Sequence, residues 1–283
     1  MANTFDHSVV GRRFGPLPFS YDQARVSLFS LASGATEQDL DLILESRGPK
    51  PLPSFAVVMT TEPMAQAMIA LGGNLLMRLH AAQRVRLHRP IPASGTLEVS
   101  AQVDKIWDQG KGALVILSGT ATDPSSGALV AETEMEIFYR AHGGFGGQKA
   151  EDPPPFAAPE GRAPDLVIPS ATASTQAHLY RLASGDLNGI HADPAVAKKV
   201  ALPKPILHGM CTFGFGATAI CRALVGGDPA KIREIYGRFT KPVFPGEKLE
   251  TEVWRVGEQQ AIYRVRSTTR GDVAIDLGQV VLA

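Results

Sequence analysis

The sequence predicts an α+β protein in which one fold occurs twice, each copy a long helix wrapped by an antiparallel sheet. The segment LASG at 31–34 recurs at 182–185, and a glycine before a strand-like run recurs as Gly95 and Gly246. Both pairs are 151 residues apart, and a shared offset favours a duplicated domain over coincidence. Both halves also show the same order of a short helix, a loop, a longer apolar helix and several strands.

The amino-acid composition limits the partners and the cellular location that we expect for the protein. The chain has 283 residues, 44% of them hydrophobic, and its 28 basic and 28 acidic residues cancel. Balanced charge gives no reason to expect nucleic acid or a membrane surface as a partner. No apolar run is long enough for a transmembrane helix, and the N-terminus lacks the pattern of a secretory signal.

Cysteine usage points to a reducing compartment. Cys211 and Cys221 lie ten residues apart on one predicted helix. That spacing corresponds to about 15 Å of helical rise, which is too long for a disulfide. We therefore expect a cytoplasmic protein with two free thiols.

A segment rich in proline and alanine separates the two halves. It reads QKAEDPPPFAAPEGRAPD and follows a GGFGG stretch, a composition typical of a linker with extended parts. We predict a first domain over 1–147, a linker over 148–166 and a second domain over 167–283.

The first half contains one apolar helix followed by strands. The helix is predicted at PMAQAMIALGGNLL, 63–76, which is apolar over most of its length. β-branched residues and partial alternation predict four strands, at 83–91, 95–108, 112–123 and 128–140.

The second half repeats this order with clearer boundaries. TQAHLYRLASG reads as a helix that ends before Gly185, and Asp193-Pro194 reads as the N-cap and first residue of a short helix. HGMCTFGFGATAICRAL, 208–224, is apolar on nearly every side, which predicts a buried central helix. Strands are predicted at 232–244, 247–257, 260–270 and 273–283. We expect the two sheets to join edge to edge, which removes an exposed edge from each.

The turn DLNGIH carries the residues best suited to acid–base chemistry. Asp186 and His191 are five residues apart between two predicted helices, so they can converge on one small molecule. A carboxylate and an imidazole that share a water can remove one of its protons and deliver another, and the Asn188 amide can orient both. These residue types also crowd ordinary turns. The first LASG, however, continues as ATEQDL, which contains no histidine and no asparagine and has no aspartate directly after the glycine. This difference favours a functional role for the residues that follow the second copy.

The glycine of ILHGM offers a second functional group. Gly209 lies where the central helix begins, so its N–H has no acceptor within the helix. Such an N–H, aided by the helix dipole, suits a carbonyl oxygen that gains negative charge. The alternative is that Gly209 only relieves a close contact between helix and sheet.

The stretch LYRLASGDLNGIHADPAVAKKVALPKPILHGM resembles the signature of the (R)-specific enoyl-CoA hydratases, the MaoC-like or hydratase 2 family. The resemblance continues through GRFTKPVFPGEKLETEVW, and the first half resembles the degenerate first copy of the two-domain, peroxisomal multifunctional enzyme type 2-like members. It covers nearly the whole chain. It implies a duplicated, or double, hot-dog fold in which the first copy has lost its chemistry and makes room for a bulkier acyl chain.

Position by position, the resemblance implies roles for named residues. Asp186 and His191 match the catalytic pair, Asn188 the assisting amide and Gly209 the oxyanion donor. Contacts with the acyl-CoA are expected from His80, Ala81, Gln109, Lys111, Leu187, Gly189, Ile190 and Arg238. Two positions depart from the family pattern. Gly189 replaces a proline, which should loosen the loop, and Gln109 replaces a lysine that contacts CoA, with Lys111 two residues on.

The resemblance implies reversible syn addition of water to a trans-2-enoyl-CoA, giving the (3R)-3-hydroxyacyl-CoA, with a medium, long or bulky acyl chain. No cofactor and no metal is expected, and the two motifs contain no metal-ligand spacing. The expected partner is the acyl-CoA substrate, and a homodimer is left open. Two alternatives stay open as well: a hot-dog thioesterase that attacks the thioester carbonyl, and a non-catalytic acyl-CoA-binding subunit.

Overall fold

The computed structural model describes residues 4–150 and 156–283, so part of the predicted linker, 151–155, lies outside the described residues. The first half begins with an edge strand and three shorter helices before its main helix. In chain order its elements are β1 (Arg13–Tyr21), α1 (Gln23–Ala32), α2 (Leu40–Ile43), α3 (Phe55–Met59), α4 (Thr61–Leu71), β2 (Arg78–Leu87), β3 (Gly95–Asp108), β4 (Gly112–Thr122) and β5 (Leu129–Arg140).

The second half repeats the pattern with a longer central helix. Its elements are β6 (Leu166–Ala171), α5 (Gln176–Ser184), α6 (Pro194–Lys199), α7 (Gly209–Val225), β7 (Ile232–Phe239), β8 (Lys248–Arg255), β9 (Gln260–Ser267) and β10 (Val273–Leu282). Single turns of 3-10 helix occur at His7–Val9, Glu45–Arg47, Leu75–Met77, Gly189–His191 and Pro229–Lys231.

The ten strands found in 4–150 and 156–283 form one antiparallel sheet in the order β1-β3-β4-β5-β2-β7-β10-β9-β8-β6. The second five strands repeat the first five in reverse order, so the halves are related by an approximate two-fold axis. They meet where β2 pairs with β7, with Ala82 opposite Arg238 and Arg86 opposite Glu234. The predicted α+β class and the edge-to-edge join of two sheets are confirmed.

Each long helix packs on the sheet of its own half. α4 contacts β1, β3 and β4, whereas α7 contacts β6 to β10. Every residue from Cys211 to Cys221 is buried, which confirms the prediction of a central helix without a solvent face. The main hydrophobic core contains residues of both halves, and a smaller one lies beneath α4. The two halves therefore share a core as well as a sheet.

Several of the predicted boundaries were wrong, and two edge strands, one in each half, were missed. The predicted helix 63–76 begins at Thr61 and ends at Leu71, because Gly72 with φ of 79° terminates it. β2 begins at Arg78, five residues before the predicted start. The edge strands β1 and β6 were missed, since Pro16, Pro18 and Pro169 interrupt their pattern, and proline is tolerated at a sheet edge.

The first LASG copy is anchored to the second half through its main chain. The Ala32 carbonyl accepts from Gln176 Nε2 at 2.9 Å and from Cys211 Sγ at 3.3 Å. The Ser33 carbonyl accepts from Thr218 Oγ1 at 2.8 Å, and the Gly34 carbonyl from Arg222 Nη2 at 3.0 Å. We call this set of contacts the α7 anchor; in the first copy it lies where the second copy presents its acid–base loop.

An ion pair completes the α7 anchor. The guanidinium of Arg222 binds both carboxylate oxygens of Asp39, with Nε to Oδ1 at 2.6 Å, and the Thr36 N–H donates to Asp39 Oδ2 at 2.7 Å. Asp39 is 9% exposed. Burial raises the pKa of Asp39, but the hydrogen bonds from Arg222 and Thr36 outweigh it and hold that pKa below its ordinary value.

We expect Asp39→Ala to lower the free energy of unfolding by about 1–3 kcal/mol, because it leaves the Arg222 guanidinium without its buried partner. Urea unfolding measures this loss. Since the folded-state pKa of Asp39 is depressed, the contribution is present above the unfolded pKa near 4 and is lost as pH falls through the folded value.

The exposed pair Arg47–Asp41 supplies the matched control. Its side chains are 52% and 47% exposed and its N–O distance is 2.9 Å. Asp41→Ala should cost no more than about 1 kcal/mol. Equal urea midpoints for the two variants would show that the Asp39–Arg222 pair stabilises the fold no more than an exposed ion pair does.

Candidate active site

The loop after α5 has the constrained conformation that the sequence predicts. Gly185 ends the helix with φ of 79°, in the left-handed region. The Asn188 N–H donates to Asp186 Oδ1 at 3.0 Å, and the Ile190 N–H donates to Asn188 Oδ1 at 3.2 Å. The second carboxylate oxygen of Asp186 and the amide NH₂ of Asn188 are therefore available to a ligand.

His191 ends this loop with one nitrogen fixed and the other free. The ring is 8% exposed, and its Nδ1–H donates to the Ile206 carbonyl at 3.0 Å. Because Nδ1 carries the hydrogen, the lone pair of the neutral ring lies on Nε2. Burial lowers the pKa of His191 below its ordinary value, against the raising effects of the Ile206 bond and the nearby Asp186 carboxylate. A neutral imidazole thus faces the carboxylate of the same loop.

Gly209 is the first residue of α7, as predicted, so its N–H has no acceptor inside the helix. The structure is compatible with both roles considered for Gly209, that of an N–H donor and that of a residue that permits close packing. A Cβ at position 209 would lie 3.3 Å from the Phe239 ring, so the residue also permits a close contact between α7 and β7.

His80 approaches the site from the first half. Its ring packs on Phe239 with centroids 4.7 Å apart, and its buried Nε2 has no hydrogen-bond partner among the described residues. Burial lowers the pKa of His80 to about 4, with a smaller opposing effect from Asp186. The register between β2 and β5 shifts between His80 and Ala82, which makes Ala81 an extra residue in the strand. Such a bulge re-aims neighbouring side chains.

The remaining predicted contact residues lie further out. Leu187 is 63% exposed, and Ile190 is half-buried. Gly189 begins the 3-10 turn, and a Cβ there would lie 3.1 Å from Val196 Cγ2, so this glycine admits α6 close to the loop. That it loosens the loop stays a prediction.

Three predicted CoA-contacting residues are not brought to the loop. Gln109 and Lys111 occupy the tip of the β3–β4 hairpin, where the Lys111 N–H donates to the Gln109 carbonyl at 2.9 Å. Arg238 is exposed and precedes Phe239 on β7, so the two side chains point to opposite faces of the sheet. Across 4–150 and 156–283, no hydrogen bond or ion pair joins these three side chains to 186–191.

The cluster of Asp186, His191 and His208 suits a water better than a cation. One carboxylate oxygen and two imidazole nitrogens lie within 4.8 Å of one another. The two rings, however, are stacked with centroids 3.8 Å apart and planes only 24° apart, so their lone pairs lie in two separate, nearly parallel planes. A tetrahedral metal site needs lone pairs that converge on one point.

The sequence interpretation missed His208 and Phe239. His208 could have been identified from the sequence, because it is a titratable residue directly before Gly209, whose N–H is free at the start of the helix. Phe239 had no such signal, because its importance depends on the pairing of β2 with β7.

Two family models match the chain. The one described as MaoC like domain matches residues 155–276, and the one described as MFE-2 hydratase 2 N-terminal domain matches residues 19–141. The 3-hydroxyacyl-thioester dehydratase Y of Mycobacterium tuberculosis is 42% identical over 92% of this chain and 90% of its own length. The peroxisomal enoyl-CoA hydratase 2 of Arabidopsis thaliana is 32% identical over 91% of this chain and 89% of its own length.

Solved structures agree on the fold. A MaoC-like dehydratase from Phytophthora capsici superposes with a TM-score of 0.85 at 28% identity, covering 96% of this chain and 94% of the other. A conserved hypothetical protein of M. tuberculosis, described as a double hot-dog fold, gives a TM-score of 0.57 at 16% identity, covering 97% and 96%. The predicted double hot-dog fold is confirmed. Among the described residues no helix is both long and apolar enough to cross a membrane.

Proposed function

Because the chain belongs to the MaoC-like dehydratase family, we propose that it adds water reversibly to a trans-2-enoyl-CoA and forms the (3R)-3-hydroxyacyl-CoA. The observation that carries the proposal is the loop 186–191. It presents the Asp186 carboxylate and the free Nε2 of a neutral His191 to one small volume, with the Gly209 N–H at the start of the following long helix.

The loop supplies both proton transfers of a hydration. A water held between Asp186 and His191 loses a proton to one of them as its oxygen bonds to C3 of the enoyl group. The electron pair of the double bond moves toward the thioester, and the same proton is delivered to C2. Because both groups lie on one loop, oxygen and hydrogen reach the same face of the double bond.

Gly209 stabilises the charge that this step creates. As C3 is attacked, negative charge develops on the thioester oxygen, and the N–H of Gly209 at the positive end of α7 donates to it. Phe239 packs beside Gly209 and His80, so the junction of β2 and β7 forms a wall of the site. Both halves of the fold thereby contribute to one site.

The finer proposals concern the acyl chain, assembly and location. Leu187 and Leu79, next to Asp186 and His80, are 63% and 50% exposed, which favours a medium, long or bulky chain that covers them. A homodimer is supported by the resemblance to hot-dog proteins that pair. A cytoplasmic location is supported by two buried free thiols, although the plant relative is named as peroxisomal. Activity on a series of acyl-chain lengths tests the substrate preference. Light scattering tests the homodimer, and subcellular fractionation tests the location.

Hydration of crotonyl-CoA in deuterium oxide tests the reaction. We expect loss of enoyl absorbance without release of free thiol, and a (3R) alcohol with one deuterium at C2, placed by syn addition. EDTA should leave kcat unchanged, because protein groups supply both proton transfers and the oxyanion donor. Free thiol would instead indicate a thioesterase, binding without turnover an acyl-CoA-binding subunit, and a (3S) or anti product a different placement of water.

A further inference from the structure

One buried side chain of the site has no role in the proposed function. His208, immediately before α7, is 2% exposed, and its Nδ1 has no hydrogen-bond partner among the described residues. Its Nε2–H donates to the main-chain carbonyl of Asp186 at 3.3 Å. A buried imidazole with one nitrogen unpaired is costly to desolvate, so simple packing is a poor reason for a histidine at this position.

The ring of His208 lies flat against the ring of His191. Their centroids are 3.8 Å apart and their planes differ by 24°. The hydrogen bond from His191 Nδ1 to the Ile206 carbonyl holds one edge of that ring. Stacking holds its face, and the two contacts together fix the plane in which the Nε2 lone pair points.

We propose that His208 is a positioning residue for the hydration. Its ring fixes the plane of His191 and covers one face of that ring, while its Nε2–H fixes the main chain of Asp186. One side chain thus sets the relative placement of the two groups that hold the water. The inference rests on the proposed function of the loop 186–191.

The surroundings keep His208 neutral, which the stacking requires. Burial, together with the adjacent His191 ring, lowers the pKa of His208 to about 4, against a smaller raising effect of Asp186. Two imidazolium rings at this distance would repel each other. The titratable and charged groups around the two rings come from three elements: Asp186 in the loop, Tyr180 and Arg181 in α5, and Cys211 in α7.

Three substitutions separate the ring from the hydrogen bond. His208→Ala removes both, and we expect kcat to fall roughly 10- to 100-fold with KM within about threefold, as for a misplaced catalytic group. His208→Phe keeps a flat ring without the donor, and His208→Gln keeps a donor without the ring. Each should lower kcat less than His208→Ala does.

The pH profile gives a readout that a packing role would not move. Burial lowers the pKa of His191, so water admitted by removal of the covering ring should raise that pKa toward its ordinary value. The acid limb of kcat/KM should therefore move to higher pH in His208→Ala and His208→Gln. It should stay in place in His208→Phe.

His178 is exposed on α5, and His178→Gln is the control that should leave kcat and the acid limb unchanged. The proposal is overturned if His208→Ala keeps kcat within twofold, if its acid limb does not move, or if His208→Phe moves the limb equally. If His208→Ala does not fold, the acid limbs of His208→Phe and His208→Gln are compared instead. The proposal then requires that the limb move in His208→Gln and stay in place in His208→Phe. Should the wild type not hydrate enoyl-CoA, the function fails, while NMR titration of His191 in the same variants still tests the positioning.

Discussion

Asp186→Asn and His191→Gln are each expected to lower kcat for hydration by at least about 10²-fold, in line with general acid–base contributions of about 10²–10⁴. Both substitutions nearly preserve side-chain volume. Asparagine retains an oxygen for the Asn188 N–H that now binds Asp186 Oδ1, so the loop conformation should survive. Loss of the proton acceptor is then the main change, and steady-state rates with near-ultraviolet circular dichroism measure it.

The double variant tests whether the two residues act as a unit. Because both hold the same water, the combined loss in kcat should fall far short of the product of the single losses. The acid limb of wild-type kcat/KM should lie below pH 6.5, since burial lowers the pKa of His191 and the neutral ring is the active form. A single variant that retained half of the wild-type kcat would refute the assignment.

Sequence reasoning worked best where the determinants are local. Capping signals located α5 and α6: Gly185 ends one helix in the left-handed region, and the Asp193 carboxylate accepts from the Ala195 N–H to begin the other. The apolar composition of 208–224 likewise identified a helix that packs on every side. Each of these signals depends on neighbours within a few positions along the chain.

Features that depend on strand pairing were not accessible from the sequence. The extra residue at Ala81 depends on the register of β2 against β5, and the packing of His80 on Phe239 depends on the joint between β2 and β7. Likewise, Arg238 is placed on the sheet face opposite Phe239 by the two-residue period of a strand. A motif match assigns a position in the chain and leaves the direction of its side chain open.

The two LASG copies show why one local sequence serves two roles. Both form the C-terminal end of a helix, and the two helices, α1 and α5, pack together. Yet the carbonyls of Ala32, Ser33 and Gly34 are all used to bind groups of the second half, chiefly on α7. The first copy therefore holds the helix whose N-terminus carries Gly209, while the second presents Asp186 and His191. The division follows from the partners of each loop, which the repeat alone does not specify.

Gly209→Pro is expected to lower kcat by about 10²–10³-fold, the loss found when one oxyanion donor is removed. Proline has no N–H, yet it suits the first position of a helix, where no intrahelical bond is lost. The preceding residue is also compatible, because His208 has φ of −57° and ψ of 134°, in the region favoured before proline. The fold should therefore survive while the donor to the thioester oxygen disappears.

Gly209→Ala is the matched control for this substitution. Both variants add a Cβ that would lie 3.3 Å from the Phe239 ring, so alanine reproduces the crowding that the Cβ of proline causes between α7 and β7. Only proline removes the N–H. If crowding dominates, the two variants should show similar kcat and similar melting temperatures, and Gly209 would be a packing residue. If charge stabilisation dominates, alanine should keep most of kcat and proline should lose it, with little difference in thermal stability between them.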